Sequence, residues 1–142
     1  MNWKQPKVYA VKHKDETTRA ASRSGGIFTA LSDQVLSNGG VVYGCVLTDE
    51  FDAVHIRTDN EEDRNRMRGS KYIQSKLGDT FKSVRADLDA QKSVLFSGTS
   101  CQVAGLKKYL GKEYDNLFCL SRSTEQKRVG RISTLARAEK SF

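Results

Sequence analysis

The first sustained hydrophobic period in the chain lies between residues 25 and 37. There Ile27, Phe28, Leu31, Val35 and Leu36 recur at spacings of three and four and so share one face of a helix. Ser24 stands where an N-cap belongs, and Asn38-Gly39-Gly40 supplies the glycine stop. Upstream, Val8-Tyr9-Ala10-Val11 reads as a short strand, followed by a charged loop to about Ala21. Downstream the pattern becomes continuous: Val41 to Leu47 is apolar throughout, as a strand covered on both faces should be. Thr48 to Asp52 is a turn into Ala53-Val54-His55-Ile56-Arg57, which predicts a hairpin whose first strand is the more buried.

The second half repeats the alternation of helix and strand. A polar helix is predicted over 61–67, and an amphipathic one over about 79–90 presents Phe81, Val84 and Leu88. Residues 69–75 form a loop between them. Ser93-Val94-Leu95-Phe96 reads as a buried strand, Ser97-Gly98-Thr99-Ser100 as a turn, and Val103, Leu106 and Leu110 as the stripe of a helix stopped by Gly111. With Asn116 to Leu120 as the next strand, residues 93–120 make a β-α-β unit, whose strands should be parallel with a right-handed crossover. The expected class is α/β, a mixed sheet flanked by helices. Its length of 142 residues suits one domain, here 7–120, with a basic tail over 121–142 expected to be disordered or out of frame.

Charge changes this picture little. Of the formal +7, residues 121–142 carry +4 through six Lys or Arg against two acids, leaving +3 over the first 120 residues. That is an ordinary solvated surface and argues against a dedicated nucleic-acid protein. No stretch approaches the roughly 20 apolar residues of a membrane helix, and Met1 to Pro6 has no signal-peptide core, so a cytoplasmic location without membrane contact is expected. Cys45, Cys101 and Cys119 are odd in number and widely spaced, so they form neither a disulfide framework nor a zinc pair.

Three segments could carry chemistry. Ser22-Arg23-Ser24-Gly25-Gly26 precedes a helix, where small residues let an anion approach free amides; the same residues also serve as a plain cap and turn. Gly69-Ser70-Lys71-Tyr72-Ile73-Gln74-Ser75 combines a cation, an aromatic ring, an amide and hydroxyls, or is simply a connecting loop. Gly98-Thr99-Ser100-Cys101-Gln102 sets Cys101 at a helix start, where the dipole favours a thiolate able to ligate iron or attack an electrophile. Cys45 and Cys119 lie in apolar strands and read as packing, and His13 and His55 as surface or strand residues. A P-loop is unsupported, because Gly105 is followed by Leu106 rather than Lys, and a cysteine phosphatase is disfavoured, because it would want an arginine clamp and Lys107 stands in that region.

Taken in order, these segments resemble the beta-subunit family of coenzyme F(420) hydrogenases and dehydrogenases. The likeness runs from about Lys7 to Leu120. It rests on Val8-Tyr9-Ala10, the Arg19 to Gly26 stretch, Phe28-Thr29-Ala30-Leu31, Gly39 to Gly44, His55, Arg68 to Ser75, and Val94 to Leu106. The resemblance implies an α/β domain holding FAD and a cubane (4Fe-4S) cluster. It would pass electrons between a redox partner (a ferredoxin-like protein, a hydrogenase or a dehydrogenase subunit) and coenzyme F(420) or another acceptor. It further implies that Ser24, Gly25, Gly26, Ser70, Lys71, Tyr72, Gln74, Ser75, Gly98 and Thr99 are cofactor-site residues and that Cys101 is a cluster ligand. The rival class is a small basic module that binds RNA or an acidic protein partner.

The chain also departs from the family pattern. Ser100 precedes Cys101 where the family commonly has proline. After Leu120 an Asp and then a Cys-His-Gly segment should follow, yet the chain reads Ser121-Arg122-Ser123-Thr124. The expectation is that the chain is an incomplete N-terminal portion, its remainder replaced by a frameshift or rearrangement. A cubane cluster takes four cysteines, so three are not expected to assemble one alone.

Overall fold

The computed structural model describes residues 7–71, 73–122 and 132–133. Its elements run α1 (Glu16–Ser22), α2 (Ile27–Ser37), β1 (Val41–Leu47), β2 (Ala53–Thr58), α3 (Glu61–Arg66), α4 (Thr80–Asp89), β3 (Val94–Thr99), α5 (Ser100–Leu110), β4 (Leu117–Arg122) and β5 (Ile132–Ser133). The sheet order is β2-β1-β3-β4-β5. β1 pairs antiparallel with β2 as the predicted hairpin, and β1, β3 and β4 are mutually parallel, so the sheet is mixed and β3 and β4 are the expected parallel strands on either side of α5. The short β5 lies antiparallel on β4.

The alternation of side chains across β1, β3 and β4 makes two cores. Val41, Tyr43, Val94, Phe96, Leu117 and Cys119 face α4 and α5, where Val84, Leu88, Val103 and Leu106 meet them. Val42, Val46, Leu95 and Leu120 face α2, which supplies Phe28, Leu31 and Val35. Covering on both faces explains why these strands read as unbroken apolar runs. The α2 side is closed by Arg64, only 2% exposed, whose guanidinium donates to the Thr29 carbonyl (3.2 Å), the Ser32 hydroxyl (2.6 Å) and the Asp33 carboxylate. A buried guanidinium is tolerable only with its donors used in this way. Among the described residues no helix is long and apolar enough to cross a membrane.

Four local expectations are corrected. Residues 8–11 form no strand; Val8, Tyr9 and Val11 are exposed, so burial does not back the β propensity there. The expected loop to Ala21 contains α1, nucleated by Asp15, whose carboxylate accepts from the Thr18 amide at 2.7 Å. The N-cap of α2 is Gly26 rather than Ser24. Finally, Ser97 to Thr99 is not a turn but the end of β3, with Gly98 opposite Ser121, and α5 begins directly at Ser100. The tail expected over 121–142 falls, for 123–131 and 134–142, outside the described residues.

Candidate functional site

The connections put three helix starts at one edge of the sheet. α2 and α4 each lead into a parallel strand through a short connection, and so run back along it, while α5 leaves β3 directly. The N-termini of all three therefore lie at the carboxyl ends of the parallel strands, where open α/β sheets bind ligands. The three segments singled out from the sequence lie at or between these starts.

At the first, α1 ends on Arg23 in the left-handed region (φ 54°), and the chain turns through exposed Ser24, then Gly25 and Gly26, into α2. Gly26 has φ 79°, and a Cβ there would sit 2.8 Å from that of His13. The His13 amide donates to the Gly25 carbonyl at 2.6 Å. Part of the reason for these glycines is thus the segment 11–13 that lies against them. The N-cap of α2, being glycine, has no side chain with which to cap the first turn. Beside it, Thr29 Oγ1 contacts Ser22 Oγ at 3.3 Å and accepts from Arg68 Nε at 3.1 Å, which brings the second segment to the first.

Along that second segment, Lys71 Nζ donates to the carbonyls of Arg68 (2.8 Å), Arg66 (3.1 Å) and Gly69 (3.4 Å). Its charge sits on the carbonyl-rich end of α3, a favourable place for an ammonium. Ser70 and Gln74 are exposed, Ser75 is half-buried, and Tyr72 lies outside the described residues.

The far end of the loop is tied to the third segment. Thr99 and Gln102 form a reciprocal capping box at the start of α5, the Thr99 amide donating to Gln102 Oε1 at 3.0 Å and the Gln102 amide to Thr99 Oγ1 at 3.4 Å. Gln102 Nε2 reaches on to Ser75 Oγ at 2.8 Å, Ser75 Oγ meets His55 Nδ1 at 2.7 Å, and His55 Nε2 meets the Ser97 carbonyl at 2.9 Å. The His55 ring stacks on Phe96, 5.3 Å between centroids. Gly98 is needed beneath this run, since a Cβ would lie 2.9 Å from Gln102 Oε1 and 3.0 Å from the Phe96 ring. Burial holds the imidazole below its ordinary pKa, the Ser97 carbonyl partly opposing it. His55 also walls a groove of about 370 Å³ shared with Tyr43, Arg57, Leu77 and Thr80.

His55, Gln102, Thr29 and Arg68 were not assigned roles from the sequence. Only the Thr99-x-x-Gln102 spacing, the signature of a capping box, announced one of them. The partners of His55 stand 20 and 42 residues away, beyond any local pattern.

The cysteines do not converge. Cys101 is exposed in the first turn of α5, Cys45 is half-buried on β1, and Cys119 is buried on β4, where desolvation raises its thiol pKa against a lowering by Lys107. Among the described residues no group of three or more His, Cys, Asp or Glu is placed to hold a metal. A four-thiolate cubane set therefore does not fit these residues. A phosphate-bearing group fits better, because the glycine-led start of α2 lies beside the Arg68 guanidinium.

No curated protein matches the chain. The family model described as "Coenzyme F(420) hydrogenase/dehydrogenase, beta subunit N-term" matches residues 8–82, just over half of the 142 residues and both of the first two segments. The chain belongs to this family of coenzyme F(420) hydrogenase/dehydrogenase beta subunits.

Proposed function

We propose that the chain is the N-terminal part of an oxidoreductase subunit that takes FAD along the carboxyl edge of its parallel strands. It would pass electrons between a ferredoxin-like, hydrogenase or dehydrogenase partner and coenzyme F(420) or another acceptor. One observation carries the reading: residues 68–75 are pinned at both ends, by Arg68 to the start of α2 and by Ser75 to the β3–α5 junction. A single loop thus spans two separate helix N-termini, as a long dinucleotide requires.

In this reading the amides of Ser24, Gly25 and Gly26 and of the first turn of α2 face the phosphates, with Arg68 and Lys71 adding positive charge. Ser70, Gln74 and Ser75 line the span, Gly98 and Thr99 form its far wall, and Tyr72 is the ring proposed to meet the flavin. Bound there, the flavin itself supplies the hydride and electron chemistry; the protein orients it. Cys101 offers one exposed thiol toward an iron-sulfur cluster, whose other ligands would have to come from outside the described residues.

Titrating FAD into the purified chain and following flavin fluorescence tests the site. Arg68→Ala should weaken binding by about 1 to 3 kcal/mol, the worth of a hydrogen bond to a charged group. Lys71→Ala should weaken it by a smaller amount through lost charge. Absence of flavin binding, with strongly salt-dependent binding to a polynucleotide instead, would favour the basic-module reading.

A further inference from the structure

We infer that His55 is the positioning residue of this edge: a neutral imidazole, protonated on Nε2, that fixes Ser75 and so docks the end of the 68–75 loop onto the β3–α5 junction. Its functional meaning rests on the flavin reading above, whereas its geometry stands by itself. The hydrogen-bonded run leaves β3 at the Thr99 amide and returns to β3 at the Ser97 carbonyl. The first of these groups can only donate and the second can only accept. With a neutral ring, every polarity between them follows.

Because the Ser97 carbonyl has no proton to give, Nε2 must carry one across the 2.9 Å contact. In a neutral ring Nδ1 is then a bare lone pair, and the Ser75 hydroxyl, 2.7 Å away, must donate to it. That leaves the oxygen of Ser75 free to accept from Gln102 Nε2 at 2.8 Å. The side-chain oxygen of Gln102 is in turn the atom that faces the Thr99 amide. The run thus links β2, the loop, α5 and β3 with one consistent direction, and no buried side-chain nitrogen or oxygen among the described residues lacks a partner.

A second proton on Nδ1 would reverse this contact, the Ser75 oxygen then accepting from both the ring and Gln102 and its own proton turning elsewhere. The surroundings do not favour it. The charged and titratable groups facing the ring's side are Arg57 and Tyr43, both engaged by Asp87, together with Lys76 and Asp79 from the segment leading to α4 and Cys45 across the hairpin. Lys76 pairs with Asp52 and Asp79 with Lys82, and no carboxylate hydrogen-bonds His55 among the described residues.

The test begins with the unaltered chain. Long-range proton-nitrogen correlation on ¹⁵N-labelled protein at pH 7 should show His55 with Nε2 protonated and Nδ1 bare. A proton on Nδ1, in either the other tautomer or the imidazolium, overturns the proposal. Two variants then separate positioning from packing. His55→Asn keeps an oxygen near the place of Nδ1 to accept from Ser75, whereas His55→Gln keeps a donor near the place of Nε2 and leaves Ser75 without its acceptor. Hydrogen exchange over residues 75–77 should quicken about tenfold in His55→Gln and clearly less in His55→Asn, with Leu31 and Val35 unchanged in both. Equal exchange in the two variants would reduce His55 to packing and sink the proposal. FAD titration of the unaltered chain is read separately: no binding there defeats the flavin reading while the tautomer result stands.

Discussion

Two polar knots lie two residues apart on one face of the β1–β2 hairpin, and they are built on opposite principles. One pairs Tyr43 with Arg57 across the hairpin and centres on the buried carboxylate of Asp87, which accepts from Tyr43 (2.6 Å), from Arg57 twice (2.7 and 3.0 Å) and, more loosely, from Lys92 (3.4 Å). The other, where Cys45 faces His55, uses only neutral groups. The charged knot sews α4 to the hairpin and so belongs to the scaffold. The neutral knot joins a loop to a helix start, where a fixed direction of hydrogen bonding matters more than strength. The two sit side by side, but only the second reaches the edge where the predicted site residues gather.

Breaking the charged knot should have the largest effect. Asp87→Ala leaves Arg57 and the Tyr43 hydroxyl without their shared acceptor, and a loss of about 3 to 5 kcal/mol is expected in urea unfolding. A loss below about 1 kcal/mol would mean that the knot is dispensable.

Acid should open the same knot more gently. Burial tends to raise the Asp87 carboxyl, but the bonds from Arg57 and Tyr43 win and hold it at about 2, against 3.8 for a free side chain. Stability from this group is therefore complete above about pH 4 and lost as pH falls toward 2, amounting to about 2 kcal/mol. For His55 the folded pKa is lowered, so the unfolded chain takes up the proton first, and stability should already decline as pH falls below about 6.5. His55→Asn should remove the near-neutral limb and leave the one near pH 3; a pH profile of urea midpoints separates the two.

The smallest effect concerns the thiols. Cys101→Ser should change stability by less than about 0.5 kcal/mol, as an exposed substitution does. A thiol reagent under native conditions should label Cys101 before half-buried Cys45 and buried Cys119; early labelling of Cys119 would contradict the packing of β4.

The sequence displayed the scaffold well because burial writes itself locally. β1, α2, α4 and α5 carry apolar periods that match their observed spans to within a few residues, and the hairpin and the parallel β3–β4 pair followed from them. What escaped is what burial does not encode. α1 has a cap but no apolar stripe, and Ser97-Gly98-Thr99 has turn-like composition although its glycine serves the close approach of Gln102. The knot at His55 was invisible because its members come from β2, the loop, α5 and β3, and the site emerged as three separate short segments rather than as one edge.

The central claim, that this edge holds a flavin, is tested most directly by comparing hydrogen exchange of the chain with and without FAD. The account predicts added protection at residues 24–30, 69–75 and 98–102, with the groove-lining segment 76–83 little changed. Protection confined to 76–83, or no change anywhere at saturating FAD, would contradict it.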